Sequence, residues 1–174
     1  MKVLVSAASR HGATGEIANA IADALVKEGI DVDVRRPEQV ASLATYDGIV
    51  LGSGVYAGRW LGPIKQLIER ETAVLATKPV WLFSSGPLGE PLKPEQDPED
   101  VELLLKRTHA VEHRTFAGRI DKRQLGIAER TIFAVVRAPE GDFRPWPAIA
   151  EWASEIANAM RAMAGSGASV QIAP

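Results

Sequence analysis

Two hydroxyl side chains and a glycine lie close together near the start of the chain. Ser9 and Thr14 flank Gly12 in the segment Ser-Arg-His-Gly-Ala-Thr, between a short apolar segment and an amphipathic one. Hydroxyl groups and successive backbone N–H groups bind phosphate oxygens, and glycine lets the backbone curve toward the anion. A helix that begins here adds the positive end of its dipole. The spacing predicts a phosphate site; the alternative is that Thr14 simply caps the helix.

This first segment matches neither of two common nucleotide-binding motifs. The Gly-Lys-Ser/Thr of a P-loop is missing, and so is the Gly-x-Gly-x-x-Gly of dinucleotide-binding proteins. The predicted phosphate therefore belongs to a different kind of ligand.

Two later segments carry groups that suit a planar ring. Residues 53–60 contain Tyr56 and Trp60, whose flat faces can stack on a ring system. Residues 84–89, Ser-Ser-Gly-Pro-Leu-Gly, offer backbone donors to the edge of a heterocycle. Trp60 as a core residue and 84–89 as a plain turn are the alternatives. Taken with the first segment, they favour a mononucleotide with a large ring.

Alternating strands and helices must bring these three segments together. Apolar segments predict strands at Val3–Val5, Ile30–Val34, Asp47–Gly52, Lys78–Phe83 and Glu112–Ala117. Helical spacing predicts helices over Thr14–Lys27, Gly62–Glu71, a stretch capped by Asp97-Pro98, and Trp146–Met163. The pattern of Leu125–Val136 fits either a helix or a strand, and Asp121 as a cap favours the helix. This alternation predicts an α/β three-layer sandwich with five parallel strands in the order 2-1-3-4-5. In that order all three segments lie at the carboxyl edge of the sheet, where ligands bind.

Composition limits the domain count and the partners. The chain has 174 residues, 46% hydrophobic and 24% charged, which predicts one domain over residues 1–164 with an insertion at 119–145 and a flexible tail at 165–174. A net charge of -2 gives no field that favours nucleic acid. The absence of cysteine excludes disulfides and thiolate sites. No signal sequence precedes the first strand, so we expect a cytoplasmic protein.

Histidines and basic residues suggest two further sites. His109 and His113 lie four residues apart with Glu112 between them, a spacing that ligates metals on helices. A predicted change from helix to strand at Ala110 and the lack of a third ligand argue against a metal. A cluster of basic residues could bind carboxylates or anionic lipid. The alternative is that these side chains simply form a solvated face of the protein. The cluster consists of Arg107, Arg114, Arg119, Lys122 and Arg123.

The three segments resemble those of flavodoxin-like FMN proteins. Members of that fold carry Ser/Thr-x-Thr-Gly-x-Thr after the first strand, where this chain has Ser9 to Thr14. His11 replaces the middle hydroxyl residue. Many electron carriers of this fold also place a tyrosine in the third segment and are strongly acidic, whereas this chain does neither. These differences favour an enzyme with one flavin face open to substrate.

The sequence is most similar to the menaquinone-dependent protoporphyrinogen IX dehydrogenase family. Those proteins have Ser/Thr-Arg-x-Gly-x-Thr followed by Ile-Ala, here Ser9–Thr14 and Ile17-Ala18. They continue with Phe-Ala-Gly, an insertion and a helix that begins with Trp. Here these are 116–118, 119–145 and a helix from Trp146 that contains Glu-Ile-Ala.

The resemblance implies a function and a set of site residues. It implies an FMN-dependent oxidoreductase that takes electrons from protoporphyrinogen or a similar small molecule and passes them to a quinone, with peripheral contact at the inner membrane face. No catalytic acid or base can be assigned. An electron carrier for a protein partner and a flavin-free interaction module are the alternatives, and a homodimer remains open. The implied FMN-binding residues are Ser9, Arg10, His11, Gly12, Ala13, Thr14, Gly54, Val55, Tyr56, Ala57, Gly58, Trp60, Ser84, Ser85, Gly86, Pro87 and Gly89.

Overall fold

A parallel sheet forms the centre of the computed structural model, which describes residues 1–86, 97–121 and 140–168. Its strands are β1 (Lys2–Ala8), β2 (Asp31–Arg35), β3 (Gly48–Tyr56), β5 (Val80–Ser85) and β6 (Glu112–Phe116). A short strand β4 (Arg59–Trp60) pairs antiparallel with β3, and β7 (Arg119–Ile120) pairs with β8 (Gly141–Asp142). The helices are α1 (Ala13–Lys27), α2 (Gly62–Arg70), α3 (Thr72–Leu75), α4 (Val101–Thr108) and α5 (Trp146–Ala168).

The order of the parallel strands across the sheet is β2-β1-β3-β5-β6. Counted along the chain, this is the predicted order 2-1-3-4-5, so the fold prediction is confirmed. β1 lies inside the sheet and pairs parallel with both β2 and β3. The carboxyl ends of β1, β3 and β5 are therefore neighbours at one edge.

Two apolar cores lie on opposite faces of the sheet. On one face α1 and α5 cover the strands, with Ile17 and Ile21 packing near Trp152. On the other face α2 and α4 contribute Ile64 and Leu104. Residues of one strand alternate between these cores, as the pleat requires. This gives the predicted three layers.

The repeat of apolar residues in α1 explains its position. Ile17, Ile21 and Leu25 recur every fourth residue and are fully buried. Gly29 follows the helix with φ of 79°, a conformation that suits glycine after a helix end. The chain then turns into β2 beside β1. The start of α1 is thereby fixed at the carboxyl edge of the sheet.

Two strands extend further than the sequence predicts. β3 continues to Tyr56 instead of ending at Gly52, because its last two residues pair with β4. β5 spans Val80–Ser85 instead of Lys78–Phe83, because its two serines pair with β3 and β6. Residues 53–60 and 84–89, which the sequence prediction leaves outside the strands, are thus partly sheet.

Two helices also differ from prediction. α4 begins at Val101 after Asp100, so Asp97-Pro98 does not cap it. α5 continues past Met163 to Ala168, and residues 165–168 of the predicted tail are helical. The rest of the tail and the helix predicted at 125–136 lie outside the described residues. Within the part of the chain that is described, no helix has the length and apolar character to cross a membrane.

Candidate functional site

The three segments singled out by the sequence meet at the carboxyl edge of the sheet. Ser9 follows β1, Tyr56 ends β3, and Gly86 follows β5. These three strands are adjacent and parallel, so their ends lie side by side. Pro87 and Gly89, also predicted for the site, lie outside the described residues.

The start of α1 has no side-chain cap. Gly12, the N-cap residue before Ala13, has φ of 83° and no side chain that could make a cap hydrogen bond. A Cβ added at Gly12 or at Gly15 would meet no described atom within 4 Å. Thr14 is buried in this first turn. The first amide groups of a helix have no partner within the helix, so this turn, with open positions at Gly12 and Gly15, is a candidate anion site.

Tyr56 brings the second segment to the first. The guanidinium carbon of Arg10 lies 4.4 Å from the centre of the Tyr56 ring. The His11 ring centre is 6.2 Å from the same ring, at an interplanar angle of 55°. A Cβ added at Gly54 would lie 3.1 Å from Thr14 Oγ1 and 3.3 Å from Tyr56 Cε2. A side chain at position 54 would crowd both residues, so glycine there allows β3 to lie close to Thr14 and Tyr56.

A tight hairpin supports Tyr56. Ala57 and Gly58, between β3 and β4, have φ of 49° and 73°. Two consecutive positive φ values are typical of two-residue hairpin turns, whose twist matches that of the strands. The Gly58 carbonyl accepts a hydrogen bond of 2.9 Å from the Glu99 N–H. The second segment is therefore anchored beyond its own strand.

Gly86 places the start of the third segment against the second. Its φ is 153°, and its N–H donates to the Phe116 carbonyl at 3.4 Å. A Cβ at Gly86 would lie 3.3 Å from Val55 Cβ, and one at Gly118 would lie 3.2 Å from Gly86 Cα. Gly118 was not among the predicted site residues. The Phe-Ala-Gly sequence that contains it was the available signal.

Trp60 lies in the core and not on the surface of the site. It is 2% exposed and belongs to the core on the α2 face. Its indole Nε1–H donates to Ser84 Oγ at 2.8 Å, and its backbone N–H donates to the Asp100 carboxylate at 3.2 Å. This position agrees with the interpretation of Trp60 as a core residue. Its ring face is not presented to a ligand here.

Ser84 links Trp60 to a buried histidine. Ser84 Oγ is 2.9 Å from His113 Nε2, and His113 Nδ1 is 3.6 Å from the Asp97 carboxylate. Burial lowers the pKa of His113 below its ordinary value, although Asp97 and Glu112 act in the opposite direction. The Nε2 atom of a neutral His113 can accept a hydrogen bond from the Ser84 hydroxyl, while Ser84 Oγ accepts one from the Trp60 indole.

The order Asp97–His113–Ser84 has the connectivity of a hydrolase triad but not its accessibility. Ser84 is fully buried, so no substrate carbonyl can reach its hydroxyl. The group instead joins β4, β5 and β6 beneath the site. Sequence reasoning missed it, because residues 84, 97 and 113 share no local motif.

The metal and lipid hypotheses gain no support from the arrangement. Among the described residues no group of three or more His, Asp or Glu side chains could hold a metal ion. Arg114 pairs with Glu112 and with Glu155, at 2.7 and 2.6 Å. Arg119 pairs with Glu16 at 3.0 Å. These members of the basic cluster are paired with acids, while Lys122 and Arg123 lie outside the described residues.

The fold and the position of the candidate site define the class of protein: a parallel α/β sandwich in which β1, β3 and β5 end side by side next to the start of α1. The family model of the flavodoxin domain matches residues 4–144. The chain therefore belongs to the flavodoxin domain family.

Solved structures agree with this fold. A flavodoxin from the domain Archaea is 17% identical, with 92% of this chain and 99% of that chain covered and a TM-score of 0.62. Rubredoxin:oxygen oxidoreductase from Desulfovibrio gigas is 14% identical, with 92% and 36% covered and a TM-score of 0.63. Two-electron reduced Megasphaera elsdenii flavodoxin is 22% identical, with 71% and 90% covered and a TM-score of 0.55. Comparison with curated proteins gave no match.

Proposed function

We propose that this chain binds FMN non-covalently at the carboxyl edge of its sheet and serves in oxidation–reduction. The meeting of Thr14, Gly54 and Tyr56 carries the proposal, because it joins an uncapped helix start to an aromatic side chain. Because position 54 has no side chain, Thr14 and Tyr56 lie close enough together for one ligand to contact both. Membership of the flavodoxin domain family supports the same ligand.

Each segment has a role toward FMN. Residues 9–14 would hold the phosphate through hydroxyl groups and the first N–H groups of α1. Tyr56 and Gly54 would flank the ring, and Gly86 would offer its backbone at the ring's edge. Bound FMN supplies the capacity to take up and release electrons; the protein binds it, orients it and shields it from water.

A narrower proposal names the reaction. The motif from Ser9 to Thr14 and the insertion at 119–145 are similar to those of protoporphyrinogen IX dehydrogenases, and they favour a porphyrin-like donor and a quinone acceptor. Peripheral contact with a membrane would give access to that quinone. The segment 122–139 within the insertion is the place to look for such contact.

An electron carrier is the second candidate. Flavodoxins among the similar structures favour it through the fold. A net charge of -2 gives little of the acidic field that steers basic redox partners, and this favours the enzyme. A flavin-free interaction module is the remaining alternative, and it predicts no uptake of added FMN.

Thr14→Val tests the phosphate part of the site. Valine keeps the shape of threonine and removes one hydrogen bond to a charged group, which is worth about 1.5–3 kcal/mol. We expect FMN affinity to fall about ten- to a hundredfold. Quenching of flavin fluorescence during titration of the apoprotein measures it.

Thr108→Val is the matched control. Thr108 is also a buried helical threonine, but it ends α4 next to the amino end of β6, at the opposite edge of the sheet. The FMN affinity of the Thr108→Val variant should equal that of the wild type. If Thr14→Val binds FMN as tightly as the wild type, residues 9–14 do not hold the phosphate.

An assay with two electron acceptors distinguishes the enzyme from the carrier. The FMN-loaded protein is given protoporphyrinogen under anaerobic conditions, with and without a menaquinone analogue. Turnover that depends on the quinone supports the enzyme. Loaded protein that gives no turnover, yet passes electrons from a reductase to a redox protein, supports the carrier.

A further inference from the structure

Arg144 is an almost fully buried cation at the end of the insertion. Its side chain is 2% exposed. Its Nε donates to Asp142 Oδ1 at 2.7 Å, and Nη2 donates to the other oxygen of the same carboxylate. The guanidinium carbon also lies 4.3 Å from the centre of the Trp146 ring. The bidentate pair lowers the pKa of Asp142, so both groups stay charged.

The third guanidinium nitrogen of Arg144, Nη1, contacts the first turn of α1. Nη1 lies 3.2 Å from the Ala13 carbonyl and 2.7 Å from Glu16 Oε2. Arg119, at the other end of the insertion, binds the same Glu16 at 3.0 Å. Both ends of the 119–145 insertion are therefore attached to the helix turn that follows Gly12.

Glu16 makes these contacts important for an anion. Its carboxylate lies in the first turn of α1, near the N–H groups that would face a phosphate. A second negative charge there would repel the phosphate. Arg119 and Arg144 offset that charge, while the bond to the Ala13 carbonyl fixes the turn itself.

We propose that Arg144 is a positioning residue for the phosphate half of the ligand, and that Arg119 assists it by neutralising Glu16. The insertion thereby determines how tightly the start of α1 holds a phosphate. This inference rests on the proposed FMN site. It concerns Arg144 acting through α1, with no contact to the ligand required.

Riboflavin, which lacks the phosphate, isolates the effect. The Asp142→Asn/Arg144→Gln variant removes both partners together, so that neither charge is left buried alone. We expect its FMN affinity to fall about tenfold and its riboflavin affinity to change less than twofold, since one charge-assisted contact network is lost. Flavin fluorescence titrations of the apoprotein measure both ligands.

Arg161→Gln is the matched control at the other end of the same helix. Arg161 donates to the Glu28 carbonyl at 2.6 Å and pairs with its carboxylate at 3.0 Å. It thus binds the carboxyl end of α1 as Arg144 binds the amino end. This variant should leave both flavin affinities unchanged, while its thermal midpoint reports any general loss of helix packing.

Glu16→Gln tests the role of charge. With Arg119 and Arg144 retained, loss of the carboxylate should strengthen FMN binding about threefold at low salt, and the gain should shrink in 0.5 M salt because exposed charges are screened. Riboflavin affinity should stay the same. No gain for FMN would remove the charge part of the proposal.

Three results would overturn the inference, each in a different way. Equal weakening of FMN and riboflavin in the Asp142/Arg144 variant would make Arg144 a residue of general stability. Wild-type affinity for FMN in that variant would disconnect Arg144 from the phosphate. Failure of the wild-type protein to bind FMN would refute the proposed function, and the inference with it.

Discussion

Gly52→Ala is expected to be strongly destabilising, although it adds a single methyl group. Gly52 lies in β3 beside Phe83 of β5. A Cβ at position 52 would lie 2.1 Å from Phe83 Cζ and 2.2 Å from Cε1. Normal carbon–carbon contacts are about 3.5–4.0 Å, so the ring or the strand must move by more than about 1 Å.

The surroundings of Phe83 leave its ring little room to move. Phe83 is fully buried and its ring centre is 6.3 Å from that of Phe116 and 6.1 Å from that of Trp152. These rings fill the core between the sheet and α5. Overpacking of a close-packed core costs about 1–3 kcal/mol and occasionally more, so we expect about 3 kcal/mol for Gly52→Ala.

Urea unfolding of the apoprotein measures this cost, and thermal unfolding should show a lower midpoint by about 6–12 °C. Gly62→Ala is the control, since a Cβ there would meet no described atom within 4 Å. The Gly52→Ala/Phe83→Leu double variant should be more stable than additivity predicts, by about 1 kcal/mol or more. A loss below about 1 kcal/mol for Gly52→Ala, or an additive double variant, would refute the packing argument.

Three further predictions concern stability around the site. Ser84→Ala leaves the buried Trp60 indole N–H without its acceptor, so unfolding in urea should need about 1–3 kcal/mol less free energy. Because burial holds the pKa of His113 below its ordinary value of 6.5, the unfolded state binds the proton more readily, and stability should fall as pH drops below about 6.5. His113→Gln should remove that part of the pH dependence. Gly12→Ala should destabilise by about 1–2 kcal/mol because φ is positive there, whereas Gly15→Ala, inside α1, should stabilise by up to about 1 kcal/mol.

Each of these has a clear opposing result. Unchanged stability of the Ser84→Ala variant would mean that another group accepts the hydrogen bond of the Trp60 indole N–H. Parallel pH profiles for the wild type and His113→Gln between pH 5.0 and 7.5 would show that His113 titrates normally. Equal effects at Gly12 and Gly15 would show that backbone conformation does not distinguish the two positions.

The fold was predictable because its signals are local. The recurrence of apolar residues at every fourth position, Ile17, Ile21 and Leu25, identified α1, and continuous apolar segments identified the central strands. Because connections between parallel strands are right-handed and short, the alternation of these elements then favoured the strand order 2-1-3-4-5. Local periodicity therefore carried most of the architecture.

Boundaries near the site were harder to predict, because long-range contacts set them. Ala57 has positive φ, which its residue type does not indicate, so the hairpin that extends β3 could not be foreseen. Ser84 looked like a loop residue because it is polar. It is buried in β5 because Trp60 and His113 satisfy its hydroxyl group.

The candidate site was predictable in outline for a similar reason. Gly12 and Thr14 identified the helix start from local spacing alone. Arg144 was invisible, because its partners Ala13 and Glu16 are more than a hundred residues away along the chain. The sequence allowed Trp60 to be either a ring-stacking residue or a core residue. Only its packing against the following helix, α2, distinguishes the two.

The two cores give the chain an order of completion during synthesis. Among the described residues, the core on the α2 and α4 face has no member after Ala110. The opposite core needs Trp152, Ile156 and Met160 from α5. When synthesis has just passed β6, the core on the α2 and α4 face has all of its described residues, whereas the opposite face has α1 but lacks the α5 residues that pack near Phe83. Chaperones that recognise exposed apolar surface would meet this protein late in translation, on a single face.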